Sequence, residues 1–432
     1  MLLTDSDCPC SKSELSLFDA RPMQTVMNSA QWVDIHPLNT VGQDNAPIEF
    51  TITGSSDEYL DLNDTLLQIT CKVVKADGTN FVAADNQAAA PVNNWMHSIF
   101  SDVKLIMGDK QLEGGVQLYP YRALLSNILL FSNLNEGTQL SSCGFIKDTA
   151  GQMDSAANNA GHVSRLAAVA PSKTIELCGP LWLDMTTQSK YLLSQLDVHI
   201  KLVRAKSSFY MFGAAGTVKI LSAVLYVRRV KIEPSIILEH EKELLTRNAI
   251  YPVQHTEMLT YTIPQGQMSH NKEGLFRGHM PKLIIIGMVD NTAYNGDIAK
   301  NPFNFQHYQL NHMALYKDGS SIPFRPLTPD FPHGICVREY MTLVQALQLY
   351  NRDEDFGINL KEFSAGGYNL FGFNLTPDLS LTDHAQPYQE GNLRLELKFG
   401  EVLAATINVI IMAVFDGKVE ITRQRDVLVD YK

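Results

Sequence analysis

The sequence predicts an all-β chain of two eight-stranded antiparallel sandwiches, each carrying one short inserted helix. Three observations predict it: an ungapped internal repeat, strict period-two alternation in matching segments of the two halves, and a length that calls for two cores. At 432 residues the chain exceeds what one hydrophobic core serves, and two domains of roughly 200 residues are expected. Hydrophobic residues at 45% and charged residues at 19% lie in the globular range, and Gly and Pro are too few for a disordered or collagen-like chain.

The repeat pairs TVKILSAVLYVRRVKI (Thr217 to Ile232) with TINVIIMAVFDGKVEI (Thr406 to Ile421), matching Tyr226 with Phe415, Val230 with Val419 and Ile232 with Ile421. Both are β-rich and nearly continuously apolar, as strands covered on both faces are. The preceding strands correspond too. Leu196, Val198, Ile200 and Leu202 oppose Asp197, His199 and Lys201, while Leu393, Leu395, Leu397 and Phe399 oppose Arg394, Glu396 and Lys398. Such alternation marks half-buried antiparallel strands.

Each half opens alike, with Ile48, Phe50 and Ile52 in the first and Leu259, Tyr261 and Ile263 in the second, followed by strands at Leu67 to Val74 and Lys282 to Val289. Val103 to Lys110 and His312 to Gly319 each run into a Gly/Asp turn, as hairpins do. One helix follows each. In the first half Pro120 opens it and Leu124, Leu125, Ile128 and Phe131 form its stripe. In the second, the stripe is Val337, Tyr340, Met341, Val344 and Leu347. Eight strands per half with uneven loops fit a jelly roll better than an immunoglobulin-like sandwich of ~100 residues.

The expected divisions are an N-terminal arm at 1–30, a first jelly roll at 31–238 and a second at 239–432, with Pro234 and Ser235 leading into a short charged helix between them. The Ala/Ser/Asn/Gly-rich stretch from Ser132 to Ser172 reads as a surface tower or interface loop.

The net charge of −11 argues against a nucleic-acid-binding surface, leaving Arg228, Arg229 and Lys231, with Arg423 and Arg425, for at most weak non-specific contact. The six cysteines (Cys8, Cys10, Cys71, Cys143, Cys178, Cys336) form no C-x-x-C pair, so reduced, mostly buried thiols are expected. The first thirty residues show no secretory pattern, which predicts a cytosolic or nuclear protein. No apolar run reaches the ~18 residues of a membrane span. Asn63 and Asn374 stand in glycosylation sequons that, on that reading, stay unmodified.

Catalytic signatures are missing. Asp148-Thr149-Ala150-Gly151-Gln152 spells a GTPase switch motif, but no phosphate-binding loop accompanies it, so a Gly-containing surface loop is expected. The twelve histidines contain no H-x-H pair. His307 and His312, five apart, fall on opposite faces of a strand, and His199, between Asp197 and Lys201, is expected to be exposed or hydrogen-bonded. No H-E-x-x-H or G-x-S-x-G occurs. Asp353, Glu354 and Asp355 read as a solvated acidic turn, with cation binding or a neighbour's Arg as the alternative. No catalytic, cofactor-binding or metal residue is therefore assigned, and the expected function is structural. The alternatives are a cupin-like metalloprotein and a glycan-binding sandwich.

Eight segments in order, Gln31-Trp32-Val33-Asp34-Ile35-His36-Pro37-Leu38, Pro47-Ile48-Glu49-Phe50, Tyr119-Pro120-Tyr121-Arg122, Ile200-Lys201-Leu202-Val203-Arg204, Val289-Asp290-Asn291, Asn301-Pro302-Phe303-Asn304-Phe305-Gln306-His307, Asn351-Arg352-Asp353-Glu354 and Leu375-Thr376-Pro377-Asp378-Leu379, resemble the capsid protein of Polinton (Maverick) elements and adintoviruses. The resemblance runs from about residue 31 to the C-terminus and does not include Cys8-Pro9-Cys10. It implies a double jelly-roll major capsid protein that forms a pseudo-hexagonal homotrimer tiling an icosahedral shell. It also implies contacts with neighbouring capsomers and with a penton-type single jelly-roll protein, a separate packaging machinery, and a virion location after synthesis in the host cytoplasm and assembly there or in the nucleus.

Overall fold

The computed structural model describes residues 24–41, 46–132, 137–352, 356–379, 381 and 386–431. Residues 1–23 of the expected arm, with Cys8 and Cys10, lie outside the described residues, as do Asp353, Glu354 and Asp355.

The first half contains strands β1 (Met27–Ile35), β2 (Ile48–Ile52), β3 (Glu58–Val74), β4 (Phe100–Met107), β5 (Lys110–Glu113), β6 (Thr174–Pro180), β7 (Val198–Arg204) and β8 (Thr217–Ile232). They form two antiparallel sheets, in the orders β1-β8-β3-β6 and β2-β7-β4-β5. In the second half β9 (Ala249–Ile263), β10 (Ser269–Lys272), β11 (Leu283–Asp290), β12 (Leu310–Lys317), β13 (Ser320–Leu327), β14 (Leu370–Asn374), β15 (Glu390–Phe399) and β16 (Ile407–Ile421) repeat the arrangement. Their sheet orders are β9-β16-β11-β14 and β10-β15-β12-β13, with Arg277–His279 joining β15 and a last strand, β17 (Val427–Asp430), joining β16. In both halves the first strand pairs the last and the second pairs the seventh, which is the interleaving of two Greek keys in a jelly roll.

The alternating segments do what their period requires. Val198, Ile200 and Leu202 of β7 and Leu393, Leu395, Leu397 and Phe399 of β15 are buried, and the polar residues between them are largely half-buried or exposed. The repeat strands β8 and β16 take the same place in their sheets, next to the edge strand that opens each module. They differ in cover. β16 is buried on both faces from Ile407 to Phe415, whereas β8 alternates, with Lys219, Leu221 and Ser222 exposed. Two-sided cover is thus a property of the second repeat strand alone.

One helix follows the fifth strand of each module, α1 (Tyr119–Leu130) in the first and α4 (Val337–Ala346) in the second. Between them in the chain lie α2 (Ala160–Val169) and α3 (Pro234–Glu243). Pro120 sits in the first turn of α1, where the missing N–H costs nothing, and Leu124, Leu125 and Ile128 are buried as expected. The stripe expected on α4 is rotated. Glu339, Leu343 and Ala346 are buried, Val337 is exposed, and Tyr340, Met341, Val344 and Leu347 are half-buried. The cause is polar: the Glu339 carboxylate turns inward to accept the Thr328 amide at 3.1 Å. That rotation sets Leu343 and Ala346 against Gly372 of β14, where an added Cβ would come within 2.8 and 3.0 Å of them. The Tyr340 flank packs instead on Phe356 and Phe363, at 6.0 and 5.8 Å between ring centroids.

The charged connector folds as α3, so the boundary expected at 238/239 falls inside a helix. At the other end, β1 begins at Met27 and pairs with β8 along its length. The last residues of the expected arm, 27–30, are therefore sheet.

Candidate functional site

The junction between the two modules is where the chain concentrates its buried polar chemistry. The described part of the expected tower, residues 137–172, is a brace across that junction, not a surface tower. It folds as a short 3-10 turn (Gln139–Cys143) and α2, whose N-cap Asn159 accepts the His162 amide. α2 aims Arg165 at three acceptors, Asp148 Oδ1 at 2.6 Å, Ile146 O at 2.6 Å and Pro91 O at 2.9 Å. Both members of this ion pair are almost wholly buried.

Asp148, expected in a surface loop, is thus a buried hub, because the second module reaches back to it. Asn301 donates to its Oδ2 at 2.8 Å and the Tyr368 hydroxyl donates to its carbonyl at 2.9 Å. Asp154 accepts from the Asn301 amide and from Asn304, both at 2.7 Å, and Lys147 pairs with Glu362 at 2.8 Å. The Gly151 of the motif donates its N–H to Gly366 O at 2.9 Å. Two segments noted in the sequence for other reasons, Asp148–Gln152 and Asn301–His307, meet here. No short-range pattern could announce a contact between residues about 150 positions apart.

Beside the brace, Tyr121 of α1 inserts into an aromatic group from both modules. Phe209, Phe303 and Phe305 meet it edge-on at 5.9, 5.6 and 6.2 Å, and Tyr294 stacks at 6.0 Å. Its hydroxyl donates to Pro302 O at 3.1 Å.

A third contact lines a cavity of about 960 Å³. Arg122, one residue along α1, holds Glu113 of β5 and Asp184, each at 2.7 Å. Asp184 also accepts from His255 Nδ1 at 2.7 Å and from the Thr256 amide at 3.1 Å, both on β9 of the second module. Glu113 accepts the Asp184 amide at 2.6 Å. Burial, with the Asp184 carboxylate beside it, outweighs the attraction of Arg122 and pushes Glu113 up to about 7. The His255 ring stacks on Tyr431 at 4.0 Å.

Four of the five basic residues, Arg228, Arg229, Lys231 and Arg425, are engaged within the chain, and Arg423 is exposed. Arg228 pairs with Asp64 at 2.6 Å and Asp61 at 3.2 Å, Arg229 with Glu58 at 3.4 Å, and Lys231 with Asp57 at 3.2 Å. Arg425 holds Glu241 at 2.6 Å and the Ser194 and Arg423 carbonyls. The three on β8 are paired with acids on and beside the adjoining β3, which leaves little uncompensated charge for phosphate.

The histidines are dispersed. His199 Nδ1 lies 3.0 Å from Thr51 Oγ1, His307 stacks on Phe331 at 4.2 Å, and His312 stands 3.9 Å from Glu396. Burial holds His97 down at about 3 and His162 at about 4, so both stay neutral. Among the described residues no three His, Cys, Asp or Glu side chains come together as a metal site would require, and no helix is long and apolar enough to cross a membrane.

Cys71, Cys143 and Cys336 are buried, Cys178 is half-buried, and all four are free thiols. Burial pushes Cys71 up to about 12 and Cys143 to about 11. In native protein at pH 8, alkylation mapped by mass spectrometry is expected to reach Cys178 before Cys71, Cys143 and Cys336, and Cys71 only after unfolding. Labelling of Cys71 as fast as Cys178 would contradict this burial.

No protein-family model matches the chain. It is 24% identical over 421 residues to an uncharacterized protein of Caenorhabditis elegans, covering 94% of this chain and 98% of that one. Among solved structures, the Sputnik virophage structure superimposes with a TM-score of 0.63 at 14% identity, covering 98% of this chain and 93% of that chain. The mavirus major capsid protein gives a TM-score of 0.56 at 10% identity, with 100% and 95% covered. The Faustovirus major capsid protein gives 0.56 at 8%, with 97% and 94% covered. These likenesses span both modules at once, and with the sheet orders they give this chain its fold, the double jelly roll.

Proposed function

We propose that the chain is a structural major capsid protein that assembles as a homotrimer with a pseudo-hexagonal outline. One observation carries the reading: two modules with identical strand order are cemented into one subunit by a brace, an aromatic group and a charge cluster. Three such subunits present six nearly equivalent edges, and a lattice then reuses one kind of contact. The Sputnik virophage structure and the Faustovirus and mavirus major capsid proteins, which share this fold, support the same reading. The motifs shared with Polinton and adintovirus capsid proteins support that lineage, and with it a virion location and a penton-type partner. The Asp148 hub is spent on Arg165, Asn301 and Tyr368, which favours scaffold over catalysis. The division into 31–238 and 239–432 is part of the proposal, with α3 as the connector.

Light scattering on purified protein is expected to give three times the chain mass of 48.2 kDa, with sheets or shells in electron micrographs at high concentration. A monomer at every salt and pH tested would overturn the proposal. So would stoichiometric iron, manganese or zinc in untagged protein, which would favour the cupin-like alternative. Specific retention on a glycan array by a monomer would favour the glycan-binding one.

A further inference from the structure

We propose that the Glu113, Arg122, Asp184 and His255 cluster is a one-proton switch, which tightens the hold of the second module on the first below neutral pH and relaxes it above. The inference concerns the junction within one chain and stands whatever the chain assembles into.

The geometry sets up a charge imbalance. Two carboxylates, Glu113 and Asp184, share a single guanidinium, Arg122, at 2.7 Å each. Both carboxylate side chains are nearly or fully buried, so a second negative charge has no solvent to screen it. The remaining partner is His255 Nδ1, 2.7 Å from Asp184. One proton entering this group, on the Glu113 carboxyl, balances it. Without that proton a buried carboxylate stays uncompensated.

The surrounding elements do not relieve the imbalance. On α1 Tyr119 faces the pair, its ionisation suppressed by burial. Tyr431, stacked on His255, is likewise held as the neutral phenol. Around the same cavity stand Arg277 and His279 against Glu257, Glu390 and Asp430. Burial lowers the His279 imidazole and so keeps it neutral near pH 7, which leaves that rim net acidic. The cavity also gives solvent protons a way in.

The cluster is a hinge point because its members come from both modules. Glu113, Arg122 and Asp184 belong to the first, while His255 and the Thr256 amide belong to the second. The sign follows from proton linkage. Glu113 is raised to about 7 from an ordinary 4.5. The folded junction therefore holds a proton that an opened one has shed between those values. Its stabilisation is complete below about 4.5 and is lost as pH rises through about 7.

Hydrogen exchange on the full-length protein tests this, reading protection factors of the peptides that contain Asp184 and Thr256. Between pH 6 and 8 protection in the wild type is expected to fall about tenfold, the linkage value for one group titrating at about 7. In Glu113→Gln, which keeps the shape and removes the titration, it is expected to stay level. Equal protection at both pH values in the wild type, or the same fall in E113Q, would overturn the switch. Should E113Q fail to fold, the wild-type protection profile from pH 5 to 9 decides: a fall confined to the Asp184 and Thr256 peptides that levels off above about pH 8 supports the proposal, and a level profile, or an equal fall in peptides remote from the junction, overturns it.

Discussion

Arg165→Met is expected to destabilise the protein by about 3–5 kcal/mol, the cost of leaving a buried charge without its partner. The substitution replaces the aliphatic stem of the side chain and its packing on α2 while removing the guanidinium. It strands the Asp148 carboxylate and frees the Ile146 and Pro91 carbonyls. Asp148 is also the acceptor for Asn301 from the second module, so the loss is felt on both sides of the junction. Denaturant unfolding should show a lower midpoint with an unchanged slope, the signature of a stability change without a change in exposed surface. Lys231→Met is the control. Lys231 and Asp57 form an ion pair in the open, and its loss should leave the midpoint where it is. An Arg165→Met midpoint indistinguishable from wild type would mean that the brace does not carry the junction.

Tyr121→Ala is expected to cost a similar amount, about 3–5 kcal/mol for a large buried ring, and to do something Arg165→Met does not. Tyr121 is 1% exposed and touches Phe209 in its own module and Tyr294, Phe303 and Phe305 in the other. Removing it opens a void at the seam while leaving the sheets of each sandwich intact. Calorimetry of the variant should therefore resolve two transitions where the wild type shows one, because each module keeps its own core and loses its coupling to the other. Tyr121→Phe, which gives up only the hydrogen bond to Pro302 O, should retain the single transition. A single, merely lowered transition in Tyr121→Ala would place the coupling elsewhere in the junction.

The experiments bear on Asp148 and Tyr121, which stood in segments noted in the sequence without their roles, and on Arg165, which carried no signal there. Tyr121 and Arg122 stood in a capsid-like motif, and Asp148 in a segment that spelled a nucleotide switch. The partners that define them, Asn301, Phe303 and His255, lie far away in sequence. Glu113 and Asp184 carried no signal at all, since a carboxylate becomes unusual only when something buries it. The α4 stripe shows the same limit within one element. Helical period allowed the Val337 and Tyr340 flank to face inward, and a single tertiary hydrogen bond from the Thr328 amide to the Glu339 carboxylate chose another face.

What the amino-acid sequence determined by itself was the strand grammar: alternation at period two in β7 and β15, the hairpin turns, the helix after the fifth strand, and the duplication of all of it. Those features depend on local geometry, where each side chain's face follows from its position alone. Only the tertiary structure decided how the two modules are joined. The Asp148 hub, the Tyr121 seam and the Glu113–Asp184–His255 cluster each bring together residues from both modules. Their energetics come from burial and from partners across the seam, quantities that no local pattern of residues encodes.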